Sequence, residues 1–236
     1  MKYNVNINGI DVEASYSDDT LGNTIKPLLL RLQDIRNAKD SRILVMLAAP
    51  PGAGKSTLAS FLEYYAKEMG LKYSVQAIGM DGFHRRQEYL TSHETGVDGH
   101  MIPMVRIKGA PITFDLDGLT AKIKQVISGE NCGWPTYDRH LHNPTEDAIR
   151  INSDIVILEG NYLLLDEDGW RDLHKLADYT IFLRADEEIL RQRLIDRKEA
   201  SGNSREKAVE FVDFSDMRNV RLCLEHSLKA DLELEL

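Results

Sequence analysis

Cysteine is scarce in this chain: of 236 residues only Cys132 and Cys223 carry a thiol, too few for a disulfide framework. Positive charge is scarce too. Twenty-nine Lys and Arg against 38 Asp and Glu leave a formal net charge of −9, which opposes a general nucleic-acid or membrane-surface role while leaving room for a locally basic pocket. No apolar run reaches the length of a membrane span, and Met1-Lys2-Tyr3-Asn4 lacks the apolar core of a signal peptide. These absences predict a cytoplasmic protein with reduced thiols, partnered by neither nucleic acid nor membrane. The length suits one main domain with insertions.

What is present is organised around Ala48-Ala49-Pro50-Pro51-Gly52-Ala53-Gly54-Lys55-Ser56-Thr57. A polyphosphate needs small residues whose N–H groups curl around it, a Lys to reach its terminal phosphates and a hydroxyl for Mg²⁺. Gly52, Ala53, Gly54, Lys55, Ser56 and Thr57 supply that set, and a helix starting here aims its positive end at the anion. The first Gly of G-x-x-x-x-G-K-[ST] is replaced by Ala49, so the match is to the relaxed pattern. Ile43 to Leu47 reads as a buried parallel strand, and Leu58, Phe61, Leu62, Tyr65 and Met69 recur at helical spacing up to Gly70.

Before this unit, alternation about Asn8-Gly9 predicts a β-hairpin, and Leu21, Ile25, Leu28, Leu29 and Leu32 predict a helix capped by Asp19 or Thr20 and running to about Ile35, with Pro27 in its first turns. Residues 1–41 are thus expected as an appendage packed on the outside of the sheet, and 42–236 as the nucleotide-binding domain. After it, Tyr73 to Met80 reads as a strand ending in Asp81, a carboxylate placed where ligands bind in parallel sheets and hence the candidate general base. The stretch holding His93, Gly96, Gly99 and His100 has no clear period and is read as an irregular excursion. Lys108-Gly109-Ala110-Pro111 reads as a turn and 115–128 as a helix. Trp134 to His142 is dense in hydrogen-bonding side chains, as a substrate-facing strand end or loop would be. His140 and His142 have no third ligand at zinc spacing, so no zinc site is expected.

Asp154 to Gly160 reads as a further buried strand ending in Glu159, a carboxylate suited to supporting Mg²⁺ together with Ser56. Tyr179 to Leu183 is another strand. The helix from Asp186 carries Arg191, Arg193 and Arg197, the last two on one face, where they can close over a nucleotide or simply face solvent. Ser201 to Ser204 breaks that helix, and the alternating 231–236 segment reads as an edge strand.

With these motifs in view, the chain resembles the phosphate-loop small-molecule kinases grouped around uridine kinase, phosphoribulokinase and bacterial pantothenate kinase, especially fructose-kinase-like members. The likeness runs from about Arg42 onward through Gly52 to Thr57, Met80-Asp81-Gly82-Phe83-His84, Lys108 to Pro111, Thr113-Phe114-Asp115, Tyr137-Asp138-Arg139 and Leu158-Glu159-Gly160-Asn161-Tyr162. The resemblance implies an α/β fold with a parallel sheet flanked by helices, ATP and Mg²⁺ as cofactors, and a small-molecule acceptor, with a homodimer left open. It implies that Asp81 is base and indirect Mg²⁺ ligand, that Lys55 serves the phosphates, and that Arg193 and Arg197 sit on a lid spanning about 186–205. Acceptor contacts would come from His84, Lys108, Tyr137 and Arg139, and from His142, Glu159 and Asn161. Uridine kinases place a His, and two residues later an Arg, after Tyr-Asp. Here His142 matches but Pro144 stands in the Arg place, a departure that counts against nucleobase recognition.

The leading expectation is transfer of the ATP γ-phosphoryl group to a hydroxyl of a small polar metabolite, first a sugar or sugar-like alcohol, with a nucleoside or pantothenate as alternatives. A regulatory or motor nucleotide hydrolase is the rival class. It is disfavoured because the chain has neither an Asn-Lys-x-Asp guanine-reading motif nor a Leu-Ser-Gly-Gly-Gln signature. A nucleotide-binding protein without catalysis is disfavoured because no expected catalytic position is lost.

Overall fold

The structure, a computed structural model, describes residues 1–7, 10–138 and 141–235. It opens with the expected antiparallel hairpin, β1 (Lys2–Ile7) and β2 (Ile10–Ser15), in whose backbone register Val5 pairs with Val12 and Ile7 with Ile10. The Asn8-Gly9 dipeptide lies outside the described residues.

The first helical segment starts earlier than its sequence suggests. Ser17 Oγ accepts the Thr20 N–H at 3.0 Å and caps α1 (Asp18–Thr20), which passes through a π turn at Leu21–Ile25 into α2 (Lys26–Lys39). The π turn has a physical reason: Pro27 offers no N–H and its ring crowds the carbonyl four residues back, so the ladder widens just before it.

The centre is a five-stranded, wholly parallel sheet in the order β11-β10-β3-β9-β4. Its strands are β3 (Ile43–Ala48), β4 (Val75–Gly79), β9 (Ile155–Gly160), β10 (Tyr179–Arg184) and β11 (Leu232–Glu235). Every residue of β3 is buried because both faces are covered. Ile43, Val45 and Leu47 join a core with Leu28, Leu29 and Leu32 of α2, the apolar side of α3 (Lys55–Glu68), and Leu190 and Leu194. Leu44, Met46 and Ala48 join the opposite core with Trp134, Tyr162 and the inner face of the helix at Leu116–Ile127.

Three further stretches lie outside this sheet. The 87–103 stretch is not irregular: α4 (Gln87–Ser92) leads into a two-stranded ribbon, β5 (Glu94–Val97) and β6 (His100–Pro103), whose turn uses Asp98 and Gly99 at positive φ. Next comes α5 (Leu116–Ile127), capped by Asp115 as its position predicts. The polar stretch around Tyr137 is the first arm of a second ribbon, β7 (Cys132–Asp138) with β8 (Asn143–Ile151), and the latter arm has no counterpart among the strands expected from sequence. Beyond β10 lie α6 (Glu187–Ala200), α7 (Arg205–Phe211), a second π turn at Val212–Asp216 and α8 (Met217–His226). The final strand pairs in parallel with β10 at the sheet edge, as its alternation suggests. No helix among the described residues is long and apolar enough to cross a membrane.

Candidate active site

The phosphate loop turns between β3 and α3 on two glycines at positive φ, Gly52 at 83° and Gly54 at 89°. At Gly52 space also demands glycine, since a Cβ there would stand 3.2 Å from Leu194 Cγ and 3.3 Å from the Leu190 carbonyl oxygen. Helix α6 therefore lies directly on the loop. Lys55 is the first residue of α3 and Ser56 the second, both half-buried, so the helix delivers the cation and the hydroxyl at its positive end.

Opposite them, parallel pairing sets Glu159 level with Leu47 on one side and Gly79 on the other. Its Oε1 accepts a hydrogen bond from Ser56 Oγ at 2.9 Å. Asp81 follows just after β4, in the 3₁₀ segment Met80–Phe83. That segment is pressed against β7 at Gly82, where any Cβ would collide with the Pro135 carbonyl. Ser56, Asp81 and Glu159 line one cleft of about 250 Å³, together with Thr136 and Tyr137 of β7. Across the Gly82 and Pro135 contact lies a second cavity of about 490 Å³ bordered by His84, Arg85, Arg86 and Lys122.

A hydroxyl and a carboxylate in contact are hard oxygen donors of the kind Mg²⁺ takes. No group of three or more His, Cys, Asp or Glu is arranged for a metal among the described residues. The protein thus offers few ligands of its own, which fits a cation whose remaining positions are filled by water and phosphate oxygens.

The other residues singled out in the sequence divide into those at the cleft and those that support its wall. Tyr137 faces the cleft. His84 packs between Phe114 at 4.0 Å and Tyr137 at 5.0 Å, its Nδ1 lies 2.9 Å from the Asp81 carbonyl oxygen, and its residue borders the neighbouring cavity. Lys108 sits over the Tyr137 ring and donates to Gln87 Oε1 at 2.7 Å and to the His142 carbonyl at 3.1 Å; burial lowers its pKa. His142 itself is exposed at positive φ near the ribbon tip. Arg139 lies outside the described residues. Asn161 is part-buried, its carbonyl oxygen facing the Cys223 thiol at 3.3 Å and its Oδ1 lacking a protein partner.

On α6 the three arginines separate. Arg191 is tied to Asp213 by two hydrogen bonds of 2.7 and 2.8 Å, whereas Arg193 reaches the Gly52 carbonyl at 3.5 Å. Arg197, one turn on, faces Asp216 electrostatically. Asp216 is a buried carboxylate that the sequence does not single out: it is 8% exposed, its Oδ2 has no protein partner, and burial raises its pKa against the pull of Lys198 and Arg197. Its neighbour Tyr162, which donates to the Gly109 carbonyl at 2.5 Å, has its phenol pushed far up by burial, with the Cys223, Asp216 and Asp81 charges adding to it. The one signal for Asp216 is a run of polar residues, Ser215, Asp216 and Asn219, at buried positions of the helical period that also holds Val212, Val220 and Cys223.

Comparison with known proteins agrees with this geometry. The model of the phosphoribulokinase / uridine kinase family matches residues 44–232. The chain is 40% identical over its whole length to the "Uncharacterized protein YggC" of Escherichia coli K12, covering 96% of that protein. It is 32% identical to the "Putative uridine kinase C227.14" of Schizosaccharomyces pombe over 82% of this chain and 83% of that one. Among solved structures, a "putative fructose transport system kinase" from Silicibacter sp. TM1040 superposes with a TM-score of 0.80 at 30% identity, covering 89% of this chain and 98% of that one. The phosphate loop, the parallel sheet around it and these matches lead to one conclusion: the chain belongs to the phosphoribulokinase / uridine kinase family and is an ATP-dependent phosphotransferase.

Proposed function

We propose that the protein transfers the γ-phosphoryl group of ATP to a hydroxyl of a sugar or sugar-like alcohol. The observation that carries this reading is the single cleft shared by Asp81, Glu159 and Ser56 with the hydroxyl-bearing Thr136 and Tyr137. A small polar acceptor in that cleft would meet a base, a polar wall and the phosphate loop together. Asp81 takes the acceptor proton as the hydroxyl oxygen bonds to the γ-phosphorus and the bridging bond to ADP breaks. Ser56 and Glu159 would hold Mg²⁺, with Asp81 reaching it through water; the cation supplies charge neutralisation on the phosphates. Lys55, Arg193 and Arg197 serve the same charge, because phosphoryl transfer relies mainly on positioning and electrostatics.

A sugar is the first choice for two reasons. Pro144, paired with Tyr137 across the ribbon, stands where uridine kinases carry an Arg. The Silicibacter structure, 30% identical, bears the name "putative fructose transport system kinase". A nucleoside is the second reading, supported by the name of the fission-yeast relative. The test is a phosphorylation screen across sugars, nucleosides and pantothenate with mass detection of the product. A phosphorylated sugar is the expected result; rapid ATP consumption independent of every acceptor would overturn the kinase reading in favour of a hydrolase.

A further inference from the structure

We propose that the N-terminal hairpin forms one wall of the acceptor cleft and that Ile7, with Asn6, sets which acceptors fit. This rests on the functional reading above, since it names a determinant of that same cleft. The sequence alone predicts a hairpin packed on the outside of the sheet, away from chemistry. Instead Asn6 and Ile7, at the end of β1, border the cleft that Ser56, Asp81, Glu159 and Tyr137 line.

The strand reaches the cleft by simple alternation. In β1 the residues Tyr3, Val5 and Ile7 are half-buried while Lys2, Asn4 and Asn6 are exposed, so one row of side chains faces inward and runs lengthwise. At its near end Tyr3 is fastened to α3: its hydroxyl lies 2.8 Å from Ser60 Oγ, and its ring meets Phe61 at 5.2 Å and Tyr64 at 5.1 Å. Tyr16, on the chain leaving β2, stacks on Phe61 at 4.0 Å. The far end of the row is Ile7. The hairpin is therefore clamped to the helix that presents Lys55 and Ser56, and Ile7 and β7 border the same cleft.

The chemistry of the walls defines the acceptor class. Ile7 and Ile149 are apolar, whereas Thr136 and Tyr137 carry hydrogen-bonding groups; Asn6, on the exposed row of β1, borders the cleft at the strand end with its side chain bonded to Asp11 Oδ1 at 2.7 Å. Such a cleft suits a compact polyol with one carbon-rich face. The family-wide match starts at residue 44 and excludes the hairpin, whereas the 40%-identical relative matches along the full chain. An element outside the shared catalytic region yet at the acceptor cleft is placed to distinguish acceptors and not to perform the common transfer.

The experiment compares Ile7→Ala, Ile7→Phe and Asn6→Ala with the parent on D-fructose, uridine and pantothenate, recording KM for acceptor and for ATP separately. Ile7→Phe should raise the KM of the parent's preferred acceptor about tenfold, Ile7→Ala should relax the preference between acceptors, and the ATP KM should hold. Unchanged acceptor KM and preference in all three would overturn the proposal. A second measurement keeps it separable from the functional reading. In a protein carrying Ile7→Cys and Cys132→Ser, the rate of thiol modification is followed with Mg²⁺, a non-hydrolysable ATP analogue and each of the three compounds. Cys223 is silent in this assay, because burial pushes its thiol up to about 12. If the parent phosphorylates none of the panel, the functional reading fails, and the hairpin proposal then stands only if one compound slows modification of the thiol introduced on the hairpin; equal rates with all three overturn it.

Discussion

Ser56 Oγ and Glu159 Oε1 meet at 2.9 Å, joining the first turn of α3 to the end of β9 across the mouth of the sheet. A third position adjoins the contact: at Gly79, level with Glu159, a Cβ would sit 3.0 Å from the same carboxylate oxygen. A larger residue at this position would press on the carboxylate that meets the hydroxyl. Glu159→Gln or Ser56→Ala is expected to raise the Mg²⁺ concentration needed for half-maximal turnover by about 10–100-fold. Titrating Mg²⁺ at saturating ATP checks this; an unaltered requirement in both variants would remove the pair from the cation site.

Lys55 opens α3 and is half-buried at the phosphate loop. Lys55→Ala should lower transfer by orders of magnitude with little change in Tm, because the loop Lys serves the phosphates and has no place in either core. Steady-state turnover and a thermal melt, taken on the same preparation, read the two effects apart. Parental activity in the variant would sink the phosphate-loop assignment.

The arginines of α6 are predicted to act unequally. Arg191 is already committed to Asp213, so Arg191→Ala should leave kcat near the parental value. Arg193→Ala and Arg197→Ala should lower kcat more than they raise acceptor KM, since a charge engaged chiefly in the transition state contributes little to ground-state binding. If both match the parent, that face of the helix takes no part in the transfer.

Asp216 gives a prediction about pH. Burial raises its pKa, with Arg197 and Lys198 opposing and Tyr162 close by. A carboxyl with a higher pKa in the folded than in the unfolded chain holds its proton more tightly when folded. Its contribution to stability is therefore fullest below the unfolded value and is lost as pH rises through the folded one. Asp216→Asn removes that loss. Its Tm should gain on the parent as pH is raised from about 4 to about 8, by roughly 2–4 °C for each kcal/mol recovered in a chain of this size. A Tm difference that stays constant across the range would refute the buried-charge account.

The parts of this molecule that are legible in its sequence are those where chemistry and local geometry coincide. Gly52, Gly54 and Lys55 announce a phosphate loop because backbone approach and charge must occur within a few residues, and the continuous apolar run of β3 announces burial on both faces. Asp81 and Glu159 are legible as strand ends. The ribbon arm β8 is not, because Glu146, Asp147 and Arg150 lie on an outlying, largely exposed strand with no buried alternation to report it. The turn at 98–99 escapes for a similar reason, as both arms of β5 and β6 are too short for a period to emerge. Asp216 is held by packing of α8 and the π turn on the sheet, a tertiary relation that no local spacing encodes. The hairpin is legible as a hairpin from its alternation. Its arrival at the cleft follows from the Tyr3 and Tyr16 anchors on Phe61, which join residues far apart in the chain.

The sharpest prediction concerns Asp81. Its backbone is held on the C-terminal side: the His84 N–H donates to the Asp81 carbonyl at 3.2 Å, and Gly82 is wedged against Pro135, in a turn that brings Asp81 to the cleft. Asp81→Asn keeps size and removes charge and basicity. ATP binding should survive, while transfer falls by the roughly 10²–10⁴-fold that general-base assistance supplies, with more lost if the Mg²⁺ water shell is also disturbed. Tyr137→Phe, which deletes one hydroxyl from the β7 wall, should act instead on acceptor KM or preference, because a polar cleft discriminates through the hydrogen bonds it leaves unpaired. The distinguishing result is a split, with kcat lost in the first variant and acceptor KM changed in the second, measured against an unchanged ATP affinity. An Asp81→Asn enzyme with parental kcat would take this residue out of the mechanism and leave Glu159 as the carboxylate to test for proton transfer.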